Sequence, residues 1–269
     1  MKKFPAALRL SLAILAACSV LAAMAKAQTS TPEAGRKPVV VVELFTSEGC
    51  SSCPPADALL QKLEAQQPVP DAEIIAIEEH VDYWNHDGWV DPFSSPEWTQ
   101  RQATYTALTK KDVYTPELVV DGQSQFVGSD ERQAGLEIEK AAHGTKTDVA
   151  ITSGKPEGKG SQRFTVSVGK LAGNKAGDVA EVWLAVTEDG LHSAVSRGEN
   201  KGHELHHVAT LRTLRKIGVA DGNGASAFTG DTVVKLNSHW AAENVHVTVF
   251  VQEKKSREIL GAASTKIKG

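Results

Sequence analysis

Two cysteines separated by two serines, Cys50-Ser51-Ser52-Cys53, are the residues of this 269-residue chain best suited to chemistry. Such a pair can exchange thiol for disulfide. One thiolate attacks a sulfur–sulfur bond, and the second thiol resolves the mixed disulfide. Pro54 and Pro55 follow at once. Consecutive prolines are tolerated only in the first turn of a helix, where backbone N–H groups lack partners in any case. The pair is therefore expected at a helix N-terminus, where the dipole and free N–H groups favour a thiolate. The first cysteine of such a pair is ordinarily the exposed one. That assigns Cys50 as nucleophile and Cys53 as the resolving, more buried thiol. Two other readings remain open, an inert disulfide and half of a metal site. Zinc takes about four ligands and the chain has no second cysteine pair, so neither a metal nor any other cofactor is expected.

The flanking sequence positions the pair. Pro38 to Phe45 is a short, continuous, β-branched run that reads as a buried strand. Ala56 to Gln66 places Leu59, Leu60 and Leu63 at helical spacing, and Pro68 and Pro70 end the helix. Glu73 to Ile77 is a second buried strand. An aromatic loop runs from His80 to Phe93. Ser95-Pro96-Glu97 then opens a helix to about Lys110, with serine as cap and proline at the first position. Glu117–Val120 and Ser124–Val127 form a hairpin around Asp121-Gly122, and Ser129 caps a helix to about Ala142.

From Thr147 helical periodicity disappears. Strand-like runs recur at Asp148–Ile151, Arg163–Val168, Glu181–Thr187, Thr232–Leu236 and Val245–Gln252, separated by Gly- and Asn-rich turns. In the last run Val245, Val247, Val249 and Val251 share one face. A β-sandwich of about seven strands is expected here. The fold class is thus α/β, with an N-terminal domain over 38–145 and an all-β, sandwich-like domain over 147–269.

Several further side chains are candidates. His80 ends a parallel strand, where reactive groups gather, and could modulate a thiolate at Cys50. Asp82, Tyr83, Trp84, His86, Trp89 and Trp98 either line a groove beside the pair or pack as core. Glu43 and Glu48 would oppose a thiolate if close. His203, Glu204, His206 and His207 form a local cluster whose H-x-x-H-H spacing is a weak metal pattern, and surface or strand histidines are the favoured reading over a metal site.

The chain starts with a basic stretch, Met1 to Arg9, and an apolar run, Leu10 to Ala25, too short to span a bilayer. Ala25-Lys26-Ala27 supplies small residues for cleavage, so residues 1–27 are expected to be a signal peptide. Leu15-Ala16-Ala17-Cys18 resembles a lipobox, which would instead anchor the protein at Cys18. Either way the mature protein lies in the periplasm or is secreted, and an oxidising compartment lets Cys50 and Cys53 pair. Losing the four basic leader residues leaves 25 basic against 33 acidic residues, a net charge of −8. That argues against nucleic acid and, unless Cys18 is lipidated, against a membrane as partner.

The element order β-α-β-α-β-β-α with the cysteine motif after the first strand resembles the thioredoxin fold. The resemblance implies a cis peptide bond at Thr115-Pro116, facing the cysteines and presenting an extended substrate. The stretch Glu43 to Asp57, His80 to Trp84, Asp91 to Pro96, Tyr114 to Pro116, Gly128 to Asp130 and Arg197 to Asn200 is similar to a bacterial secreted thioredoxin-like family catalogued as a domain of unknown function (1223). Glu48 stands where that family carries glutamine. The resemblance implies fold and compartment and no substrate. The expected function is a periplasmic thiol-disulfide oxidoreductase acting on protein or small-molecule thiols and disulfides of the envelope. The alternatives are a copper-handling protein using Cys50, Cys53 and His80, and a binding module with a static disulfide.

Overall fold

Val39–Thr46 forms β1, a strand with no exposed residue, in register beside β2 (Glu73–His80), so that Val39 pairs with Glu73 and Thr46 with His80. The two are parallel, as a helical crossover requires. That crossover is α1 (Pro54–Gln66), which lays Leu59, Leu60 and Leu63 on one face of the sheet. The opposite face receives α2 (Pro96–Thr109), which contributes Trp98 and Tyr105. Ser95 caps α2 by accepting from the Glu97 N–H at 3.2 Å. A hairpin of β3 (Glu117–Val120) and β4 (Ser124–Val127) adds antiparallel to β1, and α3 (Glu131–Ala142) follows. The cap of α3 is Asp130, one residue beyond the expected Ser129, because its carboxylate accepts from the Gln133 N–H. Residues 36–158, 160–221 and 226–267 are described by this computed structural model. The expected signal peptide and Cys18 lie outside them. Among the described residues, no helix is long and apolar enough to cross a membrane.

The rest of the chain is strands: β5 (Val149–Pro156), β6 (Ser161–Gly169), β7 (Ala180–Glu188), β8 (Leu191–Ala194), β9 (Glu204–His207), β10 (Thr210–Ala220), β11 (Ser226–Lys235), β12 (Val245–Glu253) and β13 (Ile259–Lys266). The class is α/β, as expected. The large sheet, however, runs through the expected boundary near residue 146. Its order is β13-β12-β7-β10-β2-β1-β3-β4, and β10 joins β2 in parallel at Thr210 and Glu78. A three-stranded sheet, β11-β6-β5, packs over part of it. Phe164, Val166 and Val168 meet Val182, Leu184, Val245, Val247 and Val249 across that layer, so the alternation read in β12 is the inner face of two packed sheets. Phe250 faces the other way, toward Trp98.

The α2 side of the large sheet buries charge. Arg101 donates to Glu43 and Glu79 and to Gln252 of β12, and its guanidinium also reaches the Tyr105 hydroxyl. Tyr105 in turn donates to Glu43 at 2.6 Å. One guanidinium thereby ties α2, β1, β2 and β12 together. Removing it would leave carboxyl groups of Glu43 and Glu79 buried without their cation. Arg101→Ala is expected to lower stability by about 3–5 kcal/mol, measured by urea unfolding; a loss near zero would show that the network holds nothing together.

Candidate functional site

The cysteine pair sits where its sequence context put it. Thr46 ends β1, Cys50 N–H donates to Ser47 O at 3.1 Å, and Cys53 is the residue that caps α1, with Pro54 and Pro55 in the first turn. Cys50 and Cys53 form a disulfide, with Cα atoms 5.5 Å apart. The peptide bond Thr115-Pro116 is cis. The antiparallel pairing of β1 and β3 sets Glu117 opposite Phe45, so Pro116 lies beside the end of β1 from which the cysteine loop departs. Gly128 fits the same corner. A Cβ there would come within 3.2 Å of the Pro116 and Ala56 Cβ atoms, which places the proline against the first turn of α1.

The expectation that Cys50 is the exposed thiol is corrected. Both cysteines are 0% exposed, and only Ser51 and Ser52 of the motif face solvent. The distant Arg197-Gly198-Glu199-Asn200 segment is hydrogen-bonded to the backbone of the cysteine loop. Asn200 Nδ2 donates to the backbone oxygens of Glu48 at 2.8 Å and Cys50 at 3.0 Å, and Ser51 N–H donates to the Glu199 carboxylate at 3.1 Å. Gly198 makes the close approach possible. Its φ is +74°, and a Cβ would press on Asp87 O at 3.1 Å and on Trp89.

The aromatic loop supports the site rather than forming a bare groove. Trp84 Nε1 donates to the Thr115 hydroxyl at 2.7 Å, while its Cβ would meet any side chain placed at Gly49 at 3.0 Å. Trp84 thus spans the cis bond and the residue before Cys50. Trp89 Nε1 donates to Glu48 at 2.7 Å. Trp98 is core on the far side of the sheet, and Glu43 belongs to the Arg101 network there.

Under the cysteine loop lies a second buried polar network, on the α1 face. His80 Nδ1 meets Asp91 at 2.7 Å, and its Nε2 lies 3.5 Å from Glu78, without a hydrogen bond. His207 stands beside it, ring centroids 4.6 Å apart, with Nδ1 on Glu78 at 3.2 Å and Nε2 on Glu48 at 3.1 Å. Asp57 accepts from Thr46 nearby. Of the histidine cluster noted in the sequence, only His207 turns inward. His206 is exposed because alternate residues of β9 point to opposite faces, and His203, which precedes the strand, is exposed too. The donor atoms of Glu78, His80 and His207 all lie within 4.8 Å of one another.

The charges support each other. Burial opposes ionising Glu78, but His207 beside it holds its pKa at about 2. Burial likewise disfavours a charged His207, and Glu78 outweighs this, lifting it to about 9. Burial and the Glu78 carboxylate push Asp57 up to about 7. His80 is raised well above its ordinary value by Asp91, against the pull of burial.

A family model described as a protein of unknown function (DUF1223) matches residues 41–252, which takes in the disulfide, the cis-proline, Asn200 and both buried histidines. The chain belongs to that family. Among solved structures, the chain is similar to a protein from Agrobacterium tumefaciens, with 26% identity over 87% of this chain and 96% of that one and a TM-score of 0.64. It is also similar in fold to HBP35 of Porphyromonas gingivalis, with 16% identity over 86% of this chain and 76% of that one and a TM-score of 0.60. No curated protein matches.

Two outcomes follow from this geometry. His207 favours the folded state fully below its ordinary 6.5, and that contribution fades as pH rises through about 9. Asp57 acts in the same sense, losing its contribution between 3.8 and about 7, whereas Glu78 loses its own as pH falls from 4.5 through about 2. In chelator-containing buffer the melting temperature should therefore peak at mildly acid pH and decline toward pH 9, the upper part of the decline being smaller in His207→Gln; a melting temperature rising over that range would contradict the assignment. Second, Asn200→Ala removes two hydrogen bonds to the backbone of the cysteine loop, each worth roughly 1 kcal/mol. Reduction of the disulfide by a small dithiol should accelerate, up to about 30-fold if the full ~2 kcal/mol is expressed in opening, and an unchanged rate would mean that Asn200 does not restrict access to the pair.

Proposed function

We propose that this protein is a thioredoxin-like thiol-disulfide oxidoreductase of the bacterial envelope, working through Cys50 and Cys53. The observation that carries the reading is the pairing of a Cys50–Cys53 disulfide at the start of α1 with a cis Thr115-Pro116 bond beside it. The order β1-α1-β2-α2-β3-β4-α3 supports the thioredoxin-like description of this half, and the β5–β13 strands supply a sandwich-like second half fused to it.

In the reducing direction the Cys50 thiolate attacks a substrate disulfide. A sulfur–sulfur bond forms between Cys50 and one substrate sulfur, and the other substrate sulfur leaves as a thiolate. Cys53, deprotonated, then attacks Cys50, which releases the second substrate thiolate and leaves the Cys50–Cys53 disulfide. The reverse sequence oxidises a substrate dithiol. The start of α1 offers the positive end of the helix dipole to the attacking sulfur, while its N–H groups are already engaged: Pro54 and Pro55 have none, and Ala56 and Asp57 donate to Cys53 O. Free backbone at Thr115, ahead of the cis bond, is the place for an extended substrate to pair. The Glu199–Asn200 segment must swing away first, so substrate entry is gated by the strand-rich half. The apolar leader expected at residues 1–27 and the net charge of −8 support a substrate among envelope thiols and disulfides rather than nucleic acid.

Complete burial of Cys50 favours a second reading, a binding module whose disulfide is static. Exchange with a model disulfide substrate separates the two. Wild-type protein should turn over and Cys50→Ser should lose all exchange, while Cys53→Ser should trap a mixed disulfide. Equal inactivity of wild type and Cys50→Ser would leave the static reading.

A further inference from the structure

We propose that Glu78, His80 and His207 form a binding site for one divalent transition-metal ion of zinc's kind. Two imidazoles and a carboxylate are a donor set that borderline ions take readily. The spacing fits. Metal–ligand bonds of about 2.0–2.1 Å place tetrahedral ligands roughly 3.3 Å apart. Glu78 oxygens stand 3.2 Å from His207 Nδ1 and 3.5 Å from His80 Nε2, and the three donors lie within 4.8 Å of one another.

The surroundings support the same assignment. Each histidine gives its other ring nitrogen to a carboxylate, His80 Nδ1 to Asp91 and His207 Nε2 to Glu48. That arrangement fixes the tautomer and aims the remaining nitrogen at a metal. The outer partners are themselves held. Asp91 accepts from the N–H groups of Glu48 and Phe93, Glu48 accepts from Trp89, and Thr210 donates to Glu78. His80 Nε2 is buried without a hydrogen bond, which is costly unless something completes it. The pocket also gathers the carboxyl groups of Glu48, Glu78, Asp91 and Asp57 around two imidazoles, a setting that attracts a dication.

Glu78 and His80 lie on β2, while His207 closes β9. A bound ion would therefore clamp the helical half to the strand-rich half beneath the cysteine loop. Three protein ligands leave coordination positions open, unlike the closed shell of a structural zinc. The cysteines are not ligands, so the site is distinct from the redox reading, and it shares only His80 with the copper reading built on Cys50 and Cys53.

The test uses the oxidised mature chain, in which no free thiol remains, refolded from urea with zinc or cobalt because the donors are buried. One equivalent of zinc should stay bound after desalting and raise the melting temperature. Cobalt should give a visible spectrum without sulfur-to-metal charge transfer. Cys50→Ser/Cys53→Ser should bind equally well. Asp91→Asn should weaken binding about 10–100-fold, and His207→Gln or His80→Gln should weaken it further. Failure of the wild type to retain metal would overturn the proposal, since the cluster would then be an ion-pair network alone. Full-strength binding by both histidine variants would overturn it too. Should the histidine variants fail to fold, the wild-type stoichiometry and cobalt spectrum still decide it.

Discussion

The contact on which the site depends is one parallel bridge, Thr210 beside Glu78, with the Glu78 N–H donating to Ala209 O at 2.9 Å. A single bridge is worth little by itself, since a net backbone hydrogen bond contributes roughly 1 kcal/mol. Its importance is positional. It fixes the chain just after β9 against the edge of β2, so that His207 reaches the carboxylate two residues before His80. It also brings the preceding segment, with Glu199 and Asn200, over the cysteine loop. The bridge is supported at a distance by Arg101, which reaches Gln252 of β12, and by the turn at Asp121-Gly122, where a Cβ on Gly122 would fall 1.9 Å from Arg257 O. The two halves are therefore one structural unit around the disulfide.

The two buried polar networks have a common origin in strand periodicity. Side chains alternate across a sheet, so Glu78 and His80 face α1 while Glu79 faces α2. The same chain segment thus feeds the His80–His207 cluster on one side and the Arg101 cluster on the other. Burying such groups costs free energy that apolar packing would not. The return is placement: Arg101 sets α2 and β12 against the sheet, and His207, Glu48 and Asp91 set the floor under Cys50.

Local signals in the sequence were legible. The double proline predicted the helix start at Cys53, Ser95-Pro96 predicted the second helix, and Asp121-Gly122 predicted a hairpin whose turn residues both have positive φ. The cis bond at Thr115-Pro116 came from the family resemblance and is present. Long-range contacts were not legible. Strand β10 reads as polar, with Arg212, Arg215 and Lys216 along it and bulges that break its alternation, so nothing marked it as the link between halves. Asn200, 150 residues away, donates to the backbone oxygen of the buried Cys50, and no local pattern encodes that contact. His207 was hidden among exposed neighbours. Only the alternation of Leu205 and His207 against Glu204 and His206 could have singled it out as inward-facing.

The central claim is that a fully covered disulfide is nevertheless a working redox pair, exposed by movement of the Glu199–Asn200 segment. The most direct measurement is the reduction potential of Cys50–Cys53 at equilibrium with a glutathione or dithiothreitol couple. A working pair should fall in the range of thiol-disulfide oxidoreductases, about −270 to −120 mV. A potential below about −300 mV, the region of structural disulfides, would contradict the account and make the pair a staple.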